Sequence, residues 1–252
     1  MLDVALLFLA GTVAGAINAV AGGGTLVTFP MLIALGLPPI VANASNAVAI
    51  WPGHAMALLG NRAALMRSHY ARRSLIAMTA ISALGGLAGV ALLRISGNDV
   101  FTKLVPPLIG GATLLFALAP VLQRLRSAQL TLLSGPAAGV GLFALAVYGG
   151  FFGAGLGVML MAALLLAGVH DMQENNALKN LIATVVTTAT VGALAVTGLV
   201  AWRETSVALV GSVLGGVSGG FLVGRVRAAV LRVAVVSIGA ALTVYYSFKY
   251  YG

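Results

Sequence analysis

Charge is what this chain has least of. Of its 252 residues 8% are charged and only 5 are Asp or Glu, whereas a soluble globular domain carries roughly 25% charged residues. So little charge cannot cover a surface that faces water. Cysteine is absent altogether, which excludes a disulfide framework, a thiolate nucleophile and a cysteine metal site. HExxH, Gly-Lys-Ser/Thr and a pair of aspartates inside an apolar run are missing as well. Zinc peptidase, phosphate-loop and intramembrane aspartyl chemistry therefore all lack their residues. The chain is expected to be no enzyme and to use no metal or cofactor. The opening MLDV has Asp3 and no basic residue, so the charged region of a signal peptide is missing and the first apolar run reads as a retained span.

What is present is apolar: 60% of the chain is hydrophobic. Runs such as Val4 to Val20 and Ser74 to Leu93 approach the roughly 20 residues that cross a bilayer core as helix. No run alternates apolar and polar residues as a transmembrane β-barrel requires, and in lipid the helix is then the one way to satisfy the backbone. The fold class is an all-α polytopic integral membrane protein. Apolar segments fall near 4–20, 25–36, 39–60, 74–93, 104–122, 130–150, 153–168, 175–198, 206–224 and 228–248. The second and seventh are short enough to be half-helices or limbs of re-entrant hairpins, since twelve to sixteen helical residues span only ~18–24 Å.

Those segments form two runs of five, and a shift of 132 residues places Gly23 on Gly155, Gly36 on Gly168, Asn43 on Asn175 and Gly60 on Gly192. Each half, 1–126 and 127–252, has a glycine-rich break (AGGGT; GAGLG), a short apolar segment and an asparagine-bearing helix. The net charge of +9 collects in connections, where it acts as a topology signal rather than a nucleic-acid surface. Arg62, Arg67, Arg72 and Arg73, then Arg124 and Arg126, then Arg225, Arg227 and Arg232 all belong on the cytoplasmic side. The connections around Arg94 to Lys103 and Arg203 to Glu204 belong outside. The two halves are then inverted with respect to each other, as in many secondary transporters. Both termini are expected outside, with six, eight or ten crossings.

A broken helix frees backbone groups that protein, water or ligand must satisfy, and a half-helix N-terminus suits an anion. The stretch AINAVAGGGTLVTFP therefore marks Asn18, Gly22, Gly23, Gly24 and Thr25 as candidate substrate-binding residues, with Gly155 in the second break. Scattered glycines such as Gly85, Gly86 and Gly89 fit close helix packing instead. Asn43, Ser45 and Asn46 on one helix, and Asn175, Asn176, Lys179 and Asn180 on its mate, sit at spacings that share a helix face. Such groups face a bundle interior or an aqueous cavity, not lipid. Lys179 stands out as an intramembrane cation: it could bind an anionic group, snorkel to the interface, or pair with Glu174 or Asp171. His54, Asp171 and Glu174 are the candidates for proton coupling, with His54 beside a helix irregularity expected at Pro52-Gly53.

The stretches AGAINAVAGGGTLVTFPMLIALGLPPIVANASNAVAIWPG and YGGFFGAGLGVMLMAALLLAGVHDMQENNALKNLIATVVTT resemble the TauE/SafE family of sulfite and organosulfonate exporters, and the resemblance spans essentially the whole chain. It implies a bacterial inner-membrane transporter that moves small sulfur-containing anions such as sulfite or sulfoacetate outward. It also carries the family pattern onto Asn18, Gly22 to Thr25, Pro30 and Asn43 to Asn46. Lys179 rests on its own chemistry. Alternatives left open are a carrier or channel for other small carboxylates and a non-transporting membrane scaffold. The partners expected are a small anion, the lipid bilayer and a second copy of the chain, with no nucleic acid.

Overall fold

Each apolar run becomes a helix because lipid offers its N–H and C=O groups no other partner. The computed structural model of the chain describes residues 2–20, 23–124, 135–222 and 228–252, and no strand occurs among them. Gly22, Arg126, Arg225, Arg227 and the boundary between the two halves lie outside the described residues. In chain order the helices are α1 (Leu2–Val20), α2 (Thr25–Ala34), α3 (Pro39–Gly60), α4 (Arg62–Met66), α5 (Arg72–Arg124), α6 (Gly135–Phe151), α7 (Leu156–Leu166), α8 (Met172–Ala195), α9 (Trp202–Leu222) and α10 (Ala228–Tyr251). Among the described residues, the stretches Arg72–Val121, Met172–Ala195 and Arg232–Tyr251 are by length and composition long and apolar enough to cross a bilayer.

The segments expected near 74–93 and 104–122 are two arms of α5 that meet at Gly97, whose φ of 65° and ψ of 178° only glycine adopts without strain. The turn is tighter than the sequence suggested. Helix α3, by contrast, runs unbroken through Pro52 and Gly53, so the irregularity expected there does not interrupt it. Neighbouring helices add polar contacts on either side of the proline: the Ser212 hydroxyl of α9 donates to the Ala49 carbonyl at 2.5 Å, and the Thr184 hydroxyl of α8 to the His54 carbonyl at 2.9 Å.

Side-chain bonds define two ends of the bundle. At one, the arginine end, Ser68 Oγ and the His69 N–H both donate to Glu174 Oε1, at 2.7 and 2.8 Å, and Asn176 Nδ2 donates to Asn61 Oδ1 at 3.1 Å. At the other, the Ala201 N–H donates to Ser45 Oγ at 2.9 Å, the Ile40 N–H to Asn98 Oδ1 at 3.4 Å, and the Tyr251 hydroxyl to the Lys103 carbonyl. The arms α3, both parts of α5, α8, α9 and α10 run between these ends. The α1–α2 and α6–α7 pairs are hairpins that enter from opposite ends, because each break turns the chain back.

Without a hydrophobic drive between helices in lipid, close backbone approach supplies the packing. Helix α1 lies along α9, where a Cβ at Gly15 would sit 2.1 Å from the Ser212 carbonyl oxygen and one at Gly215 would sit 1.9 Å from that of Thr12. Helix α6 lies along the first arm of α5 in the same manner, where a Cβ at Gly89 would meet the Val147 oxygen at 2.2 Å and one at Gly150 would meet that of Gly86 at 2.1 Å. Gly85 and Gly89 thus serve packing, as expected.

Candidate functional site

A cavity of about 860 Å³ opens between the hairpins and α3, α8 and α9. Helix α8 supplies Asn176, Lys179 and Asn180 to its wall, α3 supplies His54, and the first hairpin supplies Asn18 and Thr25. These six residues, singled out from sequence on both halves of the chain, are brought together. The cavity reaches Gly60, Asn61 and Arg232 at the arginine end. Towards the other end the interior is filled by buried aromatics: Phe29 packs edge-on against Phe152 with ring centroids 5.4 Å apart, and Phe101 against Phe151 at 5.6 Å.

Both helix breaks abut one ring. A Cβ at Gly23 would lie 3.0 Å from Phe116 Cζ, and one at Gly155 would lie 3.8 Å from Phe116 Cε2. Phe116 is itself 1% exposed and lines the cavity. Gly155, with φ 76°, is the N-cap of α7, and Gly24 is the N-cap of α2. The flanking Gly153 and Gly157 reach the cavity wall, and among the described residues no acceptor takes the Gly157 N–H. That first-turn donor carries the positive end of the α7 dipole.

Lys179 is half-buried, its Cδ 3.9 Å from where a Cβ on Gly157 would stand. Neither acid proposed as its partner is free to pair with it. Asp171 Oδ1 caps α8 by accepting the Glu174 N–H at 2.8 Å, and the Glu174 carboxylate is held by Ser68 and His69. Among the described residues no carboxylate forms an ion pair with the ammonium. Asp171 and Glu174 also stand off the cavity wall, so the structure separates them from His54. Outside the helices, burial, with the Glu174 charge beside it, raises the Tyr70 phenol above its ordinary value.

The remaining candidates occupy structural positions in this conformation. Asn43 Nδ2 donates to the Phe151 carbonyl at 2.9 Å, and Asn175 Nδ2 to those of Val169 and Met161 at 3.0 and 3.3 Å. Asn46 Oδ1 accepts from the Thr28 hydroxyl, and Ser45 receives the Ala201 N–H. These bonds pin the end of α6, the α7–α8 turn, α2 and the start of α9 to the two asparagine helices. The Oδ1 atoms of Asn43 and Asn175 are buried with no partner among the described residues. Two residues that sequence reasoning passed over, Phe116 and Arg232, line the site. An isolated phenylalanine in an apolar run and one arginine in a basic connection carry no local signal.

A helical bundle with broken hairpins around a polar, cation-bearing cavity has the architecture of a membrane transporter. Relatives agree: the chain is 29% identical over 247 residues to a probable membrane transporter protein of Haemophilus influenzae, covering 95% of this chain and 92% of that one. It is 28% identical over 254 residues to the probable membrane transporter protein YfcA of Escherichia coli K12, covering 94% and 87%. It is also 31% identical over 121 residues to the probable membrane transporter protein ORF9 of a Sinorhizobium species, covering 46% and 44%. The family described as sulfite exporter TauE/SafE matches residues 7–246, and the chain belongs to that family. No solved structure matches it.

Proposed function

We propose that this transporter exports small sulfur-containing anions, of the sulfite and sulfoacetate class, across the bacterial inner membrane by alternating access. The observation that carries this is the unpaired Lys179 ammonium facing an amide-lined cavity. An intramembrane cation without a carboxylate partner is stabilised by an anion from solution. The Gly157 N–H adds a donor to the same wall, and Asn18, Asn176 and Asn180 offer amides to the anion's oxygens. Sulfite and sulfonate oxygens accept several such bonds at once, as three-oxygen anions do.

The arginine end faces the cytoplasm under the positive-inside rule, which places both termini in the periplasm and makes this conformation open inward. The two halves, 1–126 and 127–252, form an inverted repeat whose reciprocal packing supplies the mirrored, outward-open conformation. The Phe29, Phe101, Phe151 and Phe152 cluster is then the closed outer gate.

Binding by the purified full chain in detergent, measured by titration calorimetry with sulfite, sulfoacetate and acetate, tests this. Saturable binding of the sulfur anions, weakened at least about tenfold, or about 1.4 kcal/mol, in Lys179→Ala, is the expected result. No binding of either sulfur anion, or unaltered affinity in Lys179→Ala, overturns it.

A further inference from the structure

The polar residues that α8 gives to the cavity have no polar counterparts on α3 at the repeat spacing. The residues standing 132 positions before Asn176, Lys179 and Asn180 are Ala44, Ala47 and Val48. Ala47 is half-buried and packs against the main apolar cluster of the bundle, which includes Phe29, Phe101, Phe151 and Phe152. Lys179 now faces the cavity, while its counterpart faces packed side chains.

The packing of the two halves is reciprocal. Between the second arm of α5 and α10, a Cβ at Gly110 would meet Thr243 Cγ2 at 3.1 Å, and one at Gly239 would meet Thr113 Oγ1 at 2.1 Å. The α1–α9 and α6–α5 crossings match in the same way. When the open and closed ends exchange roles, each element takes up the surroundings that its counterpart has now. Lys179 then moves into apolar packing of the kind around Ala47.

A lone ammonium in such packing is strongly disfavoured, whereas the same ammonium with a bound anion is neutralised. Asn176 and Asn180 carry no net charge and impose no such condition. We propose that Lys179, through the Ala47-like packing it must enter, lets the carrier change conformation only when an anion is bound, so that transport is obligate anion-for-anion exchange. One anion leaves as another enters, and the empty carrier does not return. This rests on the transport cycle proposed above and adds its coupling rule.

Proteoliposomes containing the full chain, with labelled sulfoacetate outside, test it. Uptake into vesicles loaded with unlabelled sulfoacetate is expected to be at least about tenfold faster than into vesicles holding only zwitterionic buffer, the ratio that about 1.4 kcal/mol imposes. Lys179→Met, neutral and of similar length, is expected to bring the two rates together. Lys179→Arg is expected to keep them apart, and keeping them apart supports the proposal even where Lys179→Met carries nothing. Equal wild-type rates overturn the exchange rule while leaving the transport reading intact, as does a proton gradient that replaces the internal anion. A loaded-to-empty ratio that persists in Lys179→Met, or is lost in Lys179→Arg, overturns the assignment to Lys179. No flux in either vesicle, together with no binding of sulfite or sulfoacetate, fails the transport reading itself and this rule with it.

Discussion

Gly36 and Gly168, 132 positions apart, end their helices with the same hydrogen bonds. Their φ angles are 90° and 91°. The Gly36 N–H donates to the Ile33 carbonyl at 2.9 Å and the Leu37 N–H to that of Leu32 at 3.2 Å; Gly168 and Val169 donate to Leu165 and Leu164 at 3.0 and 2.9 Å. This is the Schellman closure, in which a left-handed residue lets the chain cap its own last carbonyls. No atom lies within 4 Å of a Cβ built on Gly36, so the need for glycine there is conformational. Gly36→Ala and Gly168→Ala should therefore each cost about 1–2 kcal/mol, read as matching losses in thermal or denaturant unfolding in detergent. Gly192, helical with nothing within 4 Å of its Cβ, is the control, and Gly192→Ala should gain about 0.5–1 kcal/mol.

The two glycine-lined crossings should respond quite differently to bulk. At Gly15 and Gly89 the obstruction is a partner's backbone oxygen within 2.2 Å, which cannot swing aside as a flexible side chain would. Gly15→Leu and Gly89→Leu should each destabilise the bundle by about 1–3 kcal/mol or more. Fluorescence-detected gel filtration during a temperature ramp would show the loss, and unchanged midpoints would disprove the close approach.

Glu174 ties the connection between α4 and α5 to the start of α8 through Ser68 and His69. Glu174→Gln weakens a charge-assisted pair of bonds, and Ser68→Ala removes one of them. Both variants should expose the Arg67 and Arg72 peptide bonds, so trypsin should cut this connection several-fold faster than in wild type. Equal cleavage rates would show that the connection is held by something else.

The absence of cysteine makes topology directly measurable. Arg67 and Arg203 are both exposed and sit at opposite ends of the bundle. In intact cells a membrane-impermeant maleimide should label Arg203→Cys and spare Arg67→Cys, and inside-out vesicles should reverse the pattern. Labelling from the same side would contradict the crossing pattern.

The helical class was legible because charge is scarce everywhere, and the breaks were legible because glycine and asparagine recur at one spacing. Lys179 was legible as a cation without local company. The division of the asparagines was not. Asn43 and Asn180 both lie on helix faces that shun lipid, but periodicity identifies a face and not the element that meets it. Asn43 meets the end of α6, whereas Asn180 meets the cavity and donates to the Ala57 carbonyl at 3.4 Å. Phe116 escaped for the same reason, since its role comes from two distant breaks converging on one ring. The irregularity expected at Pro52-Gly53 does not interrupt α3, whose carbonyls on either side of the proline receive hydroxyls from α9 and α8.

The hairpin of each half lies along a crossing helix of the other: α1 along α9 and α6 along the first arm of α5. The chain is thus interlaced, and either half folded alone would lack the helix along which its hairpin's first limb packs. A chain cut within residues 125–134 should yield two fragments that are each unstable yet rescue one another when made together. Whatever rigid bodies slide during a cycle must likewise be stitched from both halves, so selection acting on one glycine seam constrains sequence far away along the gene.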